Sequence, residues 1–242
     1  MEKKQLRWPF FVVNPKSYLY GEDILKLAKY TDKLAEKYDF DVLFTAQLID
    51  LPRIIDECPH LVPCAQYMES LKPGRGMGHV LPEALAAAGV KATFLNHAEN
   101  PSTVHELAAT IARANEVGIL TVVCADSVEE GEMIAKLNPD VMVCELTSLI
   151  GTGQVAGEDY MRSSTAAVKR VSPHTMVLQG AGIHSGQNVY DAIRYGADAS
   201  GGTSGITDAP DPFAMVEEMT AALAQARTDF GEEHARAIAE IG

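Results

Sequence analysis

Short apolar runs recur along the chain at near-regular intervals, at residues 8–13, 42–45, 61–66, 92–95, 120–124, 141–144, 176–179 and 197–203. None alternates cleanly between apolar and polar positions, which is the pattern of strands covered on both faces. Between them lie stretches whose apolar residues fall at helical spacing: 22–38, 82–88, 103–117, 128–137, 160–171 and 187–195, with 47–58 reading as a shorter helix and 212–226 as a last one. Strands alternating with helices predict a parallel sheet with right-handed crossovers, either closed into a barrel or open and doubly wound. An open nucleotide-binding sheet should carry a glycine-rich turn after its first strand, and here that strand runs into Val13-Asn14-Pro15-Lys16-Ser17. Eight units in 242 residues, about 30 residues each, match a compact (β/α)8 barrel. The expected organisation is therefore α/β, with residues 1–227 as one barrel and residues 228–242 as a C-terminal extension in which 232–241 forms a short helix.

Composition narrows the class further. With 47% hydrophobic and 22% charged residues and no low-complexity stretch, the chain reads as globular. The longest apolar runs fall far short of the roughly 20 residues that a membrane span needs. The N-terminus lacks a signal-peptide pattern, so a cytoplasmic protein without membrane association is expected. Four cysteines stand far apart with no C-x-x-C pair, which reads as buried thiols in a reducing compartment. A net charge of -13 argues against binding nucleic acid or anionic lipid by bulk charge; an anionic ligand would need specific local groups.

In a barrel the chemistry sits where the strands end, so polar side chains at the predicted strand ends are the candidates. The first ends at Asn14 and Lys16, the third at Gln66, the fourth at Asn96, His97 and Glu99, and the sixth at Glu145. Taken singly, such residues are more often structural than functional. Proton-carrying and anion-stabilising types from three strands on one rim raise the functional reading. Glycine-containing turns follow the last three strands: Gly151-Thr152-Gly153, Gly180-Ala181-Gly182, and Thr203-Ser204-Gly205 after Gly201-Gly202. Free N–H groups in such turns suit a phosphate, and barrel phosphate sites commonly form after strands seven and eight. No cluster of His and Cys suggests a metal, and no cofactor is implied.

Together Asn14-x-Lys16, Asn96-His97-Ala98-Glu99-Asn100, Glu145 followed by Gly151-Thr152-Gly153, and Gly180-Ala181-Gly182-Ile183 resemble the triosephosphate isomerase family, in particular its shorter archaeal-type branch. The similarity runs from Phe10 to about Ala226. It implies a TIM barrel that interconverts glyceraldehyde 3-phosphate and dihydroxyacetone phosphate through an enediolate. By that resemblance Glu145 is the base, His97 the neutral electrophile, and Lys16 the cation that offsets enediolate and phosphate charge. Asn14 and Glu99 would line the substrate, Gly151 in a lid over 147–153 would close on the phosphate, and Gly182, Thr203 and Ser204 would hold it, with Gly201-Gly202 in the phosphate loop as the alternative register. A homodimer or homotetramer assembled through loop three is implied as well.

Several positions depart from the family pattern. Leu146-Thr147 replace two prolines at the start of the lid, Met77 replaces a threonine in loop three, and Pro101 replaces an arginine. Ser200-Gly201-Gly202-Thr203 replace bulky aliphatics on strand eight, an exchange expected to open volume beside the phosphate. These changes motivate two alternatives: the same chemistry on a tetrulose phosphate, or a sugar-phosphate-binding barrel without catalysis. His105, His174, His184 and His234 read as surface or loop residues, and Cys144 as a small apolar filler.

Overall fold

The computed structural model describes residues 3–149, 152 and 154–241. Eight parallel strands close into a barrel in sequential order: β1 (Phe10–Val13), β2 (Val42–Ala46), β3 (Leu61–Ala65), β4 (Ala92–Leu95), β5 (Leu120–Ala125), β6 (Val141–Cys144), β7 (Met176–Gln179) and β8 (Ala199–Gly202). The barrel shuts where Phe10–Val13 register against Ala199–Gly202. Eight helices follow the strands in turn: α1 (Gly21–Tyr38), α2 (Leu51–Glu57), α3 (Pro82–Ala88), α4 (Val104–Val117), α5 (Val128–Ala135), α6 (Glu158–Val171), α7 (Gly186–Arg194) and α8 (Ser204–Thr207). The chain ends in α9 (Pro212–Ile241). The α/β barrel read from the sequence is thus the fold observed.

Two apolar layers explain why the strands lack alternation. Phe10, Val12, Leu43, Val62, Phe94, Val122, Val143 and Leu178 fill the barrel interior, while their neighbours Phe11, Val13, Phe44, Leu95, Val123, Met142 and Val177 face the helices. Both faces are dry, so both need apolar side chains. All four cysteines are free and buried. Local chemistry sets the ends of the elements. Thr103 and Glu106 form a reciprocal capping box at the start of α4, and Gly118, at φ 79°, takes the left-handed turn that ends it.

At the N-terminal end of the barrel, acidic residues are held by structure. Asp41 accepts from the Arg7 N–H at 2.8 Å and pairs with Lys4 at 3.1 Å. Asp140 accepts from the Thr121 N–H at 2.8 Å and pairs with Lys3, and Asp198 accepts from the Val177 N–H and pairs with Lys169, both at 2.7 Å.

Three expectations change. The C-terminal extension does not start a new helix, because α9 runs unbroken from Pro212 into the tail. Phe230 packs on Tyr190, and His234 stacks on Trp8 with ring centroids 4.1 Å apart, so His234 is a packing residue rather than a free surface group. The strand-eight glycines, in turn, are not simply vacated volume. A Cβ on Gly201 would lie 2.0 Å from the Val12 carbonyl oxygen, so this glycine lets β8 close against β1; one on Gly202 would lie 3.1 Å from the Ile183 oxygen.

Candidate functional site

The polar strand ends converge at the C-terminal mouth. A cavity of about 280 Å³ is lined there by Asn14, Lys16, His97, Glu99, Glu145, Gly182, Thr203 and Ser204, among others. Of the candidate residues, Gly151 alone lies outside the described ones, as does its neighbour Gly153.

Backbone geometry brings the chemistry inward. Lys16 adopts φ 47°, a left-handed conformation that L side chains rarely take and that persists where surroundings enforce it. Its carbonyl accepts from Gln66 Nε2 at 2.7 Å, and its N–H donates to Asn14 Oδ1 at 3.1 Å, while that same oxygen accepts from Thr45 Oγ1 at 2.5 Å. Three strands therefore hold one lysine. Its Nζ reaches Glu99 at 2.6 Å, and this pair draws the Glu99 carboxyl below its ordinary range. Lys16 is the one lysine or arginine lining the cavity among the described residues. Gln66, the polar end of the third strand, acts through the Lys16 carbonyl; Thr45 acts through the Asn14 side chain, and a search for polar strand ends passes over it.

Asn96, at φ 54°, turns the chain sharply at the end of β4. Its Nδ2 donates to the Cys124 carbonyl at 3.0 Å and to Glu130 at 3.2 Å, and its Oδ1 accepts from the Ser102 N–H at 3.0 Å. The next residue, His97, is thereby aimed into the mouth. His97 Nδ1 faces the main-chain N–H of Glu99 at 3.1 Å. A main-chain N–H can only donate, so Nδ1 carries the lone pair and the ring proton resides on Nε2. Burial, followed by the charge of Lys16, pushes the His97 pKa down and favours this neutral form.

Glu145 follows β6 directly, and its N–H donates to the Ala125 carbonyl at 3.0 Å, extending the β5–β6 ladder by one residue. Its carboxylate lies against β7, where a Cβ on Gly180 would sit 2.5 Å from Glu145 Oε1. Burial raises the Glu145 pKa; Lys16 opposes the rise and Glu99 adds to it. On the same strand the Cys144 thiol is pushed up to about 12 by burial, as befits an inert filler.

The loop after Glu145 begins with a 3-10 turn, Thr147–Leu149, whose Leu149 N–H donates to the Leu146 carbonyl at 2.8 Å. Its far end packs on loop seven, because Gly182, at φ 73°, leaves room for the Gln154 carbonyl; a Cβ there would lie 1.9 Å from that oxygen. Gly201 and Gly202 belong to β8, Thr203 precedes α8 and Ser204 opens it, and all four line the cavity. No group of His, Cys, Asp and Glu among the described residues could hold a metal ion. No helix among them is long and apolar enough to cross a membrane.

A neutral imidazole donor, a buried carboxylate of raised pKa and one lysine, facing glycine-rich loops, can together move a proton next to a carbonyl while stabilising an oxyanion. Comparison with known proteins agrees with that chemistry. The family model described as Triosephosphate isomerase matches residues 9–205. The triosephosphate isomerase of Methanobacterium bryantii is 33% identical over 209 residues, covering 84% of this chain and 92% of that protein. Those of Methanocaldococcus jannaschii (31% over 213 residues; 86% and 97% covered) and Sulfolobus acidocaldarius (30% over 228 residues; 93% and 99% covered) are similar over the same barrel. The chain belongs to the triosephosphate isomerase family.

Proposed function

We propose that the protein is an aldose–ketose isomerase that interconverts glyceraldehyde 3-phosphate and dihydroxyacetone phosphate through an enediolate. The observation that carries this reading is the meeting of Glu145, His97 and Lys16, from three strand ends, around one cavity that also holds the glycine-rich turns. Glu145 takes the proton from the carbon beside the carbonyl, and its raised pKa makes that abstraction less uphill. His97 donates from Nε2 to the developing oxyanion; as a neutral donor it needs no net charge change to do so. Lys16 balances the negative charge on the enediolate and phosphate, in competition with Glu99. Asn14 holds Lys16 and borders the ligand. Gly182, Thr203 and Ser204, with Gly151 from the lid, receive the phosphate through main-chain N–H groups. None of these steps calls for a metal or organic cofactor.

The test is a steady-state assay in both directions on the two triose phosphates, with wash-in of solvent deuterium followed by NMR. Wild-type protein should turn both over, and Glu145→Gln should lose at least 1,000-fold in kcat. Absence of turnover by the folded wild type would refute the reading and leave the sugar-phosphate-binding barrel. Assembly through loop three is also part of it, since Met77 at the tip is fully exposed and Tyr20 and Ile49 stand exposed on the same end of the barrel. Light scattering on the purified chain should give a dimer or tetramer mass. With its four cysteines free, the protein suits the cytoplasm.

A further inference from the structure

The reacting pair borders two cavities. The first, described above, contains Lys16 and the phosphate-type turns; a second, of about 270 Å³, is lined by Ala98, Pro101, Cys124 and Glu130 and shares His97 and Glu145 with the first. Gly182, Thr203 and Ser204 line the first cavity only, so the second lies on the reacting pair's side away from the phosphate-type turns, where the far end of a longer ligand would fall. Three carbons end at the reacting pair. The second cavity is several times the roughly 30 Å³ that one water occupies in the liquid.

Its chemistry selects what could continue there. No lysine or arginine lines it among the described residues, so a second phosphate is disfavoured. Glu130, half-buried, accepts from Asn96 Nδ2 at 3.2 Å and from the Asp126 N–H at 2.7 Å, two of about four lone-pair positions that a carboxylate offers. Hydroxyl groups can donate to the others. Ala98 and Pro101 present short side chains that leave the space open.

We propose that the site also accepts phosphorylated ketoses whose chain extends one or two hydroxyl-bearing carbons past the reacting pair, with that extension in the second cavity. This rests on the isomerase reading above. In such a substrate the carbon that loses its proton to Glu145 carries a further carbon in place of a second hydrogen. Its C–H bond breaks as the carbonyl oxygen gains a proton. A C–H bond then forms at the former carbonyl carbon while the neighbouring hydroxyl gives up its proton. The product is a ketone displaced by one position rather than an aldehyde, and no oxidant or reductant is needed.

The experiment uses the full chain with glyceraldehyde 3-phosphate and with a tetrulose 1-phosphate, following carbonyl migration and deuterium incorporation by NMR. The tetrulose phosphate should be converted with kcat/KM within 100-fold of the triose. Filling the second cavity by Ala98→Leu or by Pro101→Phe should lower the tetrulose-to-triose ratio of kcat/KM at least 10-fold in one variant or both. Triose turnover with a tetrulose efficiency below that bound, or with a ratio that moves less than 10-fold in both folded variants, overturns the inference and leaves the isomerase reading standing. Conversion of the tetrulose phosphate alone supports the inference and removes the triose assignment. Conversion of neither overturns both.

Discussion

Shortening Glu145 by one methylene isolates geometry from charge. In Glu145→Asp the carboxylate stays ionisable and stays in the same buried surroundings, but it withdraws by about one C–C bond, roughly 1.5 Å. Glu145 is anchored through its N–H to the Ala125 carbonyl at 3.0 Å, and its carboxylate rests against the Gly180 position, so the backbone has little freedom to follow the shortened side chain. Proton transfer needs reacting atoms about 3–3.5 Å apart, and a misplacement of about 1 Å costs on the order of 100-fold. The expected loss is therefore at least about 100-fold in kcat, or roughly 2.7 kcal/mol of transition-state stabilisation. KM should change little, because the phosphate contacts lie elsewhere. Steady-state kinetics in both directions, with exchange of the substrate C–H in deuterated water, measures the effect. A kcat within about threefold of wild type would show that Glu145 is not the base and would refute the reasoning.

Other expectations follow from the same geometry. Because Glu145 must be ionised and burial raises its pKa, kcat/KM should fall as pH drops through a value above an ordinary glutamate's, with activity retained at higher pH; an acid limb near pH 4 would contradict this. Lys16→Met removes the charge that helps hold His97 neutral, so the imidazole pKa should rise, as read by NMR, while KM for a triose phosphate increases at least 10-fold. Gly201→Ala should destabilise the barrel by about 1–3 kcal/mol, since the new Cβ meets the Val12 carbonyl, and thermal melting against Gly202→Ala should show the smaller effect at the second position. His234→Ala removes the stack on Trp8 and should cost about 0.5–1.5 kcal/mol of stability without changing kcat, because it packs beneath the barrel, away from the mouth.

Much of the barrel and its rim was legible in the chain. Runs such as Phe10–Val13 and Val141–Cys144 read as strands because every residue is apolar and buried, alternate ones inside the barrel and the others under the helices. Asn14, Lys16, His97 and Glu145 were recognisable because a strand that ends in a polar residue presents it at the rim whatever the rest of the fold does. The supporting groups were not legible in the same way. Gln66 stands out only as a polar strand end and Thr45 not at all; only the placement of β2 and β3 beside β1 lets Gln66 hold the Lys16 carbonyl and Thr45 the Asn14 oxygen. The extension reads as separate because it lies beyond the eighth strand–helix unit, whereas packing of Phe230 and His234 carries α9 onward.

The sequence by itself determined the number and order of the strands, the α/β barrel class and the residue types at the mouth, because hydrophobic periodicity and turn chemistry act over a few neighbouring residues; the short α8 and the 3-10 turn after Glu145 carry no such periodicity. Only the tertiary structure decided the states of those residues. The tautomer of His97 depends on an N–H supplied by its own loop once Asn96 has turned it inward. The raised pKa of Glu145 depends on burial by other strands, and the left-handed Lys16 on bonds from Gln66. The second cavity likewise exists only because β4, β5 and β6 bring Ala98, Glu130 and Glu145 together. Apart from the Glu99 N–H two residues from His97, these properties are set by partners distant in the chain, and no local pattern encodes the distance between them.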